Sequence, residues 1–448
     1  MEENEEMIEK VISLITEKKL NELKEYLIHL NSADFPSIFE KLTDEQMVIV
    51  FRILPKDKAG EVFVELDSDD QELLITYLTD REIKNVMDEL YMDDATDIID
   101  EMPSDVVERI LKNTRATDRK IINELLKYPD DTAGSLMTTE YVSLRKNMTV
   151  DEAFAEIKKK GLRKETIYNS YVVDSKGKLI GVVDIKDMLT TDRKNTIEEI
   201  MDTNVVKVNT LLDQEEVSKM FDKYDLVALP VVDKDELLVG IITIDDAFDV
   251  MQEENLEDFQ KMVAINSTND STYMKTSVFV HAKNRIFWLL FLMLSATITG
   301  AITNHFEATI ATMPVLVAFM PMLMDTGGNC GSQSSTLVIR GLATDEISTR
   351  DILKVFWKET RVSVVIGLVL ALLNGARIWL TYSPKIAIVV SLSIFFVVIL
   401  ANVLGCVLPI AAKKLKLDPA IMAAPLISTI VDSCSVFLFF NLARLFFG

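Results

Sequence analysis

The chain has 448 residues and a formal net charge of −23, with 70 Asp and Glu against 47 Lys and Arg. Residues 281–448 hold 13 basic and 8 acidic residues, which leaves 34 basic against 62 acidic in residues 1–280. So large an acidic surplus excludes nucleic acid as a partner, since phosphate backbones are bound through basic surface, and favours cations.

Residues 1–130 read as an acidic domain of short helices. Thr43-x-x-Gln46, Ser68-x-x-Gln71 and Thr79-x-x-Glu82 carry the capping-box pattern ahead of helical apolar periodicity, and Pro55 and Pro103 punctuate the series. A recurrence near twelve residues suggests a stacked or solenoidal arrangement. The opening Met1-Glu-Glu-Asn is acidic where a secretory signal is basic, so no signal peptide is expected.

From Ser135 the texture changes. Tyr171-Val-Val-Asp174 and Leu179-Ile-Gly181-Val-Val-Asp184 read as two strands joined by a turn through Gly177 and leading into a helix that carries Asp187. The arrangement returns as Leu229-Pro-Val-Val-Asp233 and Leu238-Val-Gly240-Ile-Ile-Thr243. Each copy follows an apolar-Met pair, Leu136-Met137 or Ile200-Met201, and an amphipathic helix, Val150 to Lys160 or Gln214 to Lys223. This repeat of about sixty residues resembles a tandem of cystathionine-β-synthase (CBS) domains, at 131–195 and 196–250, a regulatory module that senses nucleotides or ions. An acidic connecting helix is expected over 251–280. Its like-charge pairs at i,i+4, Asp249 with Glu253 and Glu254 with Asp258, weaken an isolated helix by a few tenths of a kcal/mol each. Bound cations would relieve that repulsion.

Five apolar runs follow, at 286–304, 308–324, 362–380, 386–412 and 421–442, each long enough to cross about 30 Å of hydrocarbon. Lys and Arg gather between the second and third runs, from Arg340 to Arg361, and between the fourth and fifth, at Lys413, Lys414 and Lys416. The positive-inside rule then predicts a multi-pass cell-membrane protein surrounded by lipid, with residues 1–280 cytoplasmic and the C-terminus outside. Cys330, Cys406 and Cys434 show no metal-ligand spacing and read as packing residues.

The second run leads into Asp325-Thr-Gly327-Gly328-Asn329-Cys-Gly331-Ser-Gln333. Polar backbone at bilayer depth is tolerated only inside protein or along a water-filled cavity. Asp325, Asn329, Ser332 and Thr336 share one helical stripe, as do Ser428, Asp432 and Ser435 on the last run. A carboxylate at that depth costs a few kcal/mol, so Asp432 should face a cavity or a partner. Oxygen donors without His or Cys suit Mg²⁺ or Ca²⁺. Mg²⁺ keeps several waters, so one aspartate per subunit around a two-fold axis meets its needs.

These features together resemble the MgtE family of magnesium channels: Gly327-Gly328-Asn329-x-Gly331-x-Gln333, Lys416-Leu-Asp418-Pro419-Ala420, Pro425 followed by Asp432, and Tyr128-Pro129-Asp130-Asp131 ahead of the CBS pair. The resemblance covers essentially the whole chain. It implies a multidomain membrane protein: an α-helical N-terminal domain, α+β tandem CBS domains, a connecting (plug) helix, and a five-helix transmembrane pore domain over 281–448. It further implies a homodimer that imports Mg²⁺ along its two-fold axis and is shut by Mg²⁺ bound between its cytoplasmic domains. Asp432 then corresponds to the pore acid, and Gly328, Asn329 and Thr336 to pore-lining positions, with Ser428 beside them. Asp213, Glu215, Asp225, Asp246, Asp249, Glu254, Glu257 and Asp258 correspond to sensor acids, joined from the helical domain by Asp93, Asp94 and Asp97. Ser428 and Ala424 stand where family members carry Ala and Asn, and Asp325 adds a carboxylate that bears on selectivity for Mg²⁺ over Ca²⁺, Mn²⁺ or Co²⁺.

Two other readings compete. A transporter of other divalent cations such as Co²⁺ or Mn²⁺ would share this architecture, and a nucleotide-responsive membrane sensor would use Asp187, Thr243 and Asp246 to bind ATP as a modulator. The sensor reading leaves Asp432 without a purpose. No enzyme is expected, since His29, His281 and His305 are scattered and no phosphate loop or HExxH is present.

Overall fold

A computed structural model describes residues 2–266, 276–422 and 424–447. The chain forms two units, Met1–Gln252 and Glu253–Gly448.

In the first unit, helices Asp44–Ile53, Lys56–Val64, Ser68–Tyr77, Asp80–Met87, Met92–Glu101, Ser104–Asn113 and Ala116–Leu125 each begin twelve residues after the last. The cause is a buried residue two places ahead of each start: Leu54, Leu66, Leu78, Leu90, Met102 and Thr114 are all buried, with Leu42 partly so ahead of the first. An apolar residue there fixes the angle at which the chain enters the next helix. Thr43 and Thr79 form the expected capping boxes. Ser68 does not: Asp67 holds the capping register and accepts from the Asp70 N–H at 3.0 Å, while Gln71 turns inward to donate to the Phe63 carbonyl at 2.9 Å.

Two three-stranded sheets follow. Val142–Arg145, Asn169–Val173 and Leu179–Asp184 form one, and Val208–Asn209, Ala228–Val232 and Leu238–Thr243 the other. In each the first strand runs parallel and the third antiparallel to the middle one. Helices Val150–Lys160 and Gln214–Tyr224 stand where the apolar period places them. The hairpin turns match in detail: Asp174 Oδ1 accepts from the N–H groups of Lys176 and Lys178 at 2.7 and 2.9 Å, and Asp233 Oδ1 from those of Asp235 and Leu237 at 2.8 and 2.9 Å.

The copies are also laced together. Met137, ahead of the first copy, packs on Gly240 of the second, and Met201, ahead of the second, packs on Gly181 of the first. A Cβ at Gly240 would lie 2.6 Å from Met137 Sδ, and one at Gly181 would lie 2.7 Å from Met201 Sδ. Backbone bridges Thr138 to Ile241 and Val182 to Asp202 close each exchange.

Helix Ile244–Met262 leaves the last strand directly and carries the acidic run. It starts before and stops short of the expected connecting helix, of which residues 267–275 lie outside the described residues. In the second unit, four segments among the described residues are long and apolar enough to cross a membrane: Val278–His305, Thr349–Thr381, Pro384–Lys414 and Pro419–Phe447. The expected span at 308–324 is corrected. Glu307–Thr312 is a short α-helix and Pro314–Phe319 a short 3-10 helix, and Met320–Ala343 is the long helix. Pro314 and Pro321 lack amide protons and open new helical turns here instead of continuing one. At ~1.5 Å per residue the 24 residues of this glycine helix reach about 36 Å, although polar side chains disguise it as a span.

Candidate functional site

The glycine helix, Met320–Ala343, stays helical through Gly327 to Gln333. One face of small residues is buried, and the face carrying the acid and the amides is not. Gly327, Gly328, Gly331, Ser334 and Ser335 face inward, while Asp325, Asn329 and Thr336 are exposed and Ser332 is half-buried. The inward face lets backbones touch: a Cβ at Gly405, on helix Pro384–Lys414, would lie 2.4 Å from the Gly331 carbonyl oxygen. Close approach through small residues is a general means of joining helices in lipid. Ser335 Oγ also donates to the Met422 carbonyl at 2.9 Å, fastening the approach to the terminal helix Ala424–Phe447.

The terminal helix brings its own polar residues to the same place. Ser428 Oγ lies 3.4 Å from Ser332 Oγ and would stand 3.3 Å from a Cβ at Gly328. Asp432, one turn further on, is half-buried and feels the charge of Asp325. Asp325, Gly328, Ser332, Ser428 and Asp432 therefore form one patch, with Asn329 and Thr336 on the exposed stripe beside it. Ser435 departs from the expected stripe. It is fully buried beside Gly327, and its Oγ has no partner.

A second carboxylate assembly lies in the first unit. Asp93, Asp94 and Asp97 belong to helix Met92–Glu101, and Asp245 and Asp246 to the first turn of Ile244–Met262. These acids interact with one another and with Glu140 and Glu165. Helix N-termini favour acids, yet so many in one place, with burial, hold on to protons. Burial first, then the charges of Asp246, Asp245 and Glu140, pushes Asp94 up to about 7. Burial, then Asp94 and Asp246, pushes Asp97 up to about 7. Glu165 is pushed up to about 8 by burial and then by Asp94 and Asp246. Asp246 is pushed up to about 6, burial outweighing the Thr243 hydroxyl that donates to its Oδ2 at 2.6 Å. Burial also drives Asp93 well above the usual carboxylate range, and its Oδ1 has no hydrogen-bond partner. Lys164, held down by burial, is the ammonium that faces Glu140.

An orphaned carboxylate oxygen amid mutually repelling acids is the donor set that a hard divalent cation satisfies. Among the described residues no group of three or more such side chains is already drawn into ligating arrangement, so these acids would take a cation through its water shell or by moving together.

The other expected sensor acids are placed elsewhere. Asp213 caps helix Gln214–Tyr224, accepting from the Glu215 N–H at 3.0 Å, whereas Asp225 ends that helix in a left-handed conformation. Standing at opposite ends of an eleven-residue helix, these two are about 18 Å apart at ~1.5 Å per residue. Glu215 pairs with Lys219 at 2.8 Å. Asp249 is raised by burial and Asp245, and it acts on Glu65, an acid absent from the sequence-based set. Glu254, Glu257 and Asp258 lie on the far half of the connecting helix, where Glu257 pairs with Lys261 at 2.6 Å. Of the nucleotide candidates, Thr243 and Asp246 bond each other, and Asp187 is exposed in the short helix Ile185–Thr190. Sequence reasoning missed Asp245, Glu140 and Glu165. Only Asp245, adjacent to Asp246, carried a signal, because the other two sit in irregular segments without periodicity.

Comparison with known proteins agrees with this organisation. Residues 320–442 match the MgtE divalent cation transporter family, 30–131 the MgtE intracellular N domain, and 133–193 and 197–253 the CBS domain. The chain is 37% identical over 426 residues to the magnesium transporter MgtE of Thermus thermophilus, covering 94% of each protein. It is 35% identical over 338 residues to the magnesium transporter MgtE of Bacillus subtilis, covering 75% of this chain and 74% of that one. Among solved structures, the cytosolic domain of the Mg²⁺ channel MgtE in complex with ATP is 35% identical, with a TM-score of 0.52 over 54% of this chain and 99% of that one.

Proposed function

This chain belongs to the MgtE family of divalent cation transporters, and from that premise we propose that it is a homodimeric channel that imports Mg²⁺ and is shut by cytoplasmic Mg²⁺. Relatives named as magnesium transporters, together with four segments among the described residues long and apolar enough to cross a membrane, support the reading of a multi-pass membrane transporter. The observation that carries the channel reading is the outward polar stripe of Asp325, Asn329 and Thr336 beside half-buried Asp432. Lipid offers such a stripe no hydrogen bonds, so a second copy facing it across a two-fold axis would give it water and a pore. Residues 1–280 are then cytoplasmic and the C-terminus outside, with the domains divided at 130, 195, 250 and 280.

In this reading Asp432 attracts the hydrated ion, and Gly328, Asn329, Thr336 and Ser428 give it room and hydrogen bonds. Cytoplasmic Mg²⁺ is held by Asp93, Asp94, Asp97 and Asp246, with Asp213, Glu215, Asp225, Asp249, Glu254, Glu257 and Asp258 meeting across the dimer. Each ion favours the closed arrangement because it binds that arrangement better. ATP enters as a modulator near Thr243, Asp246 and Asp187, supported by the relative crystallised with it.

Flux into reconstituted vesicles tests the reading with Mg²⁺, Ca²⁺, Mn²⁺ and Co²⁺ compared. Asp432→Ala should abolish or greatly reduce flux while Asp325→Gly changes the ranking of ions. Undiminished Mg²⁺ flux in folded Asp432→Ala protein would remove Asp432 from the pathway.

A further inference from the structure

Behind the glycine helix, on the side away from its exposed stripe, lies a cavity of about 700 Å³ between that helix, Ile352–Thr381 and Pro384–Lys414. Two polar side chains and a backbone carbonyl meet there. Ser334 Oγ donates to Glu359 Oε2 at 2.9 Å and lies 3.1 Å from the Asn402 carbonyl oxygen. Asn402 is only 3% exposed and lines the cavity. Buried amides are normally hydrogen-bonded, and the cavity gives this one room to meet a water or an ion's hydration shell.

The charges at the rim largely cancel. Asp351 pairs with Lys354 at 2.7 Å, and Lys358 and Glu346 also line the cavity. That leaves half-buried Glu359, bonded to Ser334, as the remaining charge on the lining, beside Asn402 and the exposed Gln333. A carboxylate with neutral oxygen donors selects a hard cation over an anion. One carboxylate is too little to strip water from Mg²⁺, which dehydrates reluctantly. Six waters at about 30 Å³ each need roughly 180 Å³, so the cavity accepts the ion with its full hydration shell.

We propose that the Glu359, Asn402 and Ser334 cavity is a second cation site of the transmembrane unit, at the basic end of its helices and one per protomer, that holds a hydrated divalent cation against the back of the glycine helix. The proposal rests on the reading that this chain handles divalent cations, but it uses none of the residues assigned to the pore. An ion bound there contacts the same helix whose opposite face carries Asp325, Asn329 and Thr336, so its occupancy bears on how that helix is held.

Terbium luminescence on the full-length protein in detergent provides the test. The three tryptophans, Trp288, Trp357 and Trp379, all lie in the second unit, and Trp357 is an exposed neighbour of Glu359 on the same helix. Under tryptophan-selective excitation, bound Tb³⁺ should emit and be displaced by millimolar Mg²⁺. Trp357→Phe, which leaves the cavity lining untouched, should lower that emission several-fold. Glu359→Gln should do the same, Asn402→Ala should weaken Tb³⁺ binding, and Asp432→Asn should leave the Trp357-dependent share in place. The proposal is overturned if Trp357→Phe removes no Mg²⁺-displaceable emission, if folded Glu359→Gln retains it, or if Asp432→Asn abolishes it. A failure of the channel reading appears separately, as Asp432-independent flux.

Discussion

Lys261 Nζ lies 2.8 Å from Asp418 Oδ2, tying the last turn of the connecting helix to the turn that precedes the terminal membrane helix. Glu257 holds the same ammonium at 2.6 Å. Together the two acids keep Lys261 charged well above its ordinary range. The helix that would carry the Mg²⁺ signal is thus fastened by a cation built into the chain.

Removing that cation leaves Glu257 and Asp418 facing each other unscreened. Partly exposed pairs contribute up to about 1 kcal/mol, so Lys261→Gln should raise the Mg²⁺ concentration that half-closes the channel severalfold. Lys261→Glu should act more strongly, and Lys261→Glu with Asp418→Lys should restore the response. Flux against internal Mg²⁺ measures this, and an unchanged midpoint in all three variants would leave the pair without a part in gating.

Metal-free stability should depend on pH in a defined sense. Asp94 and Asp97 at about 7, Asp246 at about 6 and Glu165 at about 8 hold protons more tightly in the folded than in the unfolded chain, where carboxyls titrate near 4. The native state therefore binds more protons between about pH 4 and pH 8, and stability falls as pH rises through that window. Glu82, held down by Thr79 and Arg52 against its burial, acts oppositely and only below the ordinary carboxyl range. Thermal unfolding in chelator should occur at a higher temperature at pH 6 than at pH 8, and millimolar Mg²⁺ should flatten the difference. A melting temperature that rises with pH in chelator contradicts the assignment.

Neutralising the cluster should separate stability from sensing. Asp94→Asn with Asp246→Asn removes mutual repulsion, so the metal-free protein should melt higher than wild type while its stabilisation by Mg²⁺ shrinks. Flux should then persist at Mg²⁺ levels that silence the wild type. Limited proteolysis reads the same property: Mg²⁺ protection equal to that of wild type would take these acids out of the sensor.

Gly405 should tolerate no side chain. A methyl there meets the Gly331 carbonyl oxygen, a backbone atom that cannot swing aside. Overpacking of this kind costs about 1–3 kcal/mol. Gly405→Ala should lower the melting temperature of the detergent-solubilised protein, while Gly300→Ala, where nothing lies within 4 Å, should not.

Much of the architecture was legible because it is periodic. The twelve-residue spacing of Leu54, Leu66, Leu78 and Leu90 and the matched hairpins at Gly177 and Glu236 write the first unit into the chain. The bounds of the glycine helix were not legible: apolarity points to 308–324, whereas the helix buries a face of glycines and serines, which score as polar. Asp432 was legible as a lone acid in an apolar run. Glu140, Glu165, Glu359 and Asn402 were not, since each gains meaning only from a residue far away in sequence that folding brings beside it.

The exchange of Met137 onto Gly240 and Met201 onto Gly181 also orders events during synthesis. The first sheet receives its covering methionine only after residue 201 has emerged, and Met137 finds its seat only after Gly240 has. At ~5–20 residues per second, the roughly sixty residues from the end of the first copy to the end of the second take about 3 to 12 seconds to appear. For most of that interval Met137 lacks its seat on Gly240, whereas Gly181 is covered soon after residue 201 has emerged. A chain interrupted at residue 195 would leave both Met137 and Gly181 without their counterparts, so the two halves are inherited, and lost, as a pair.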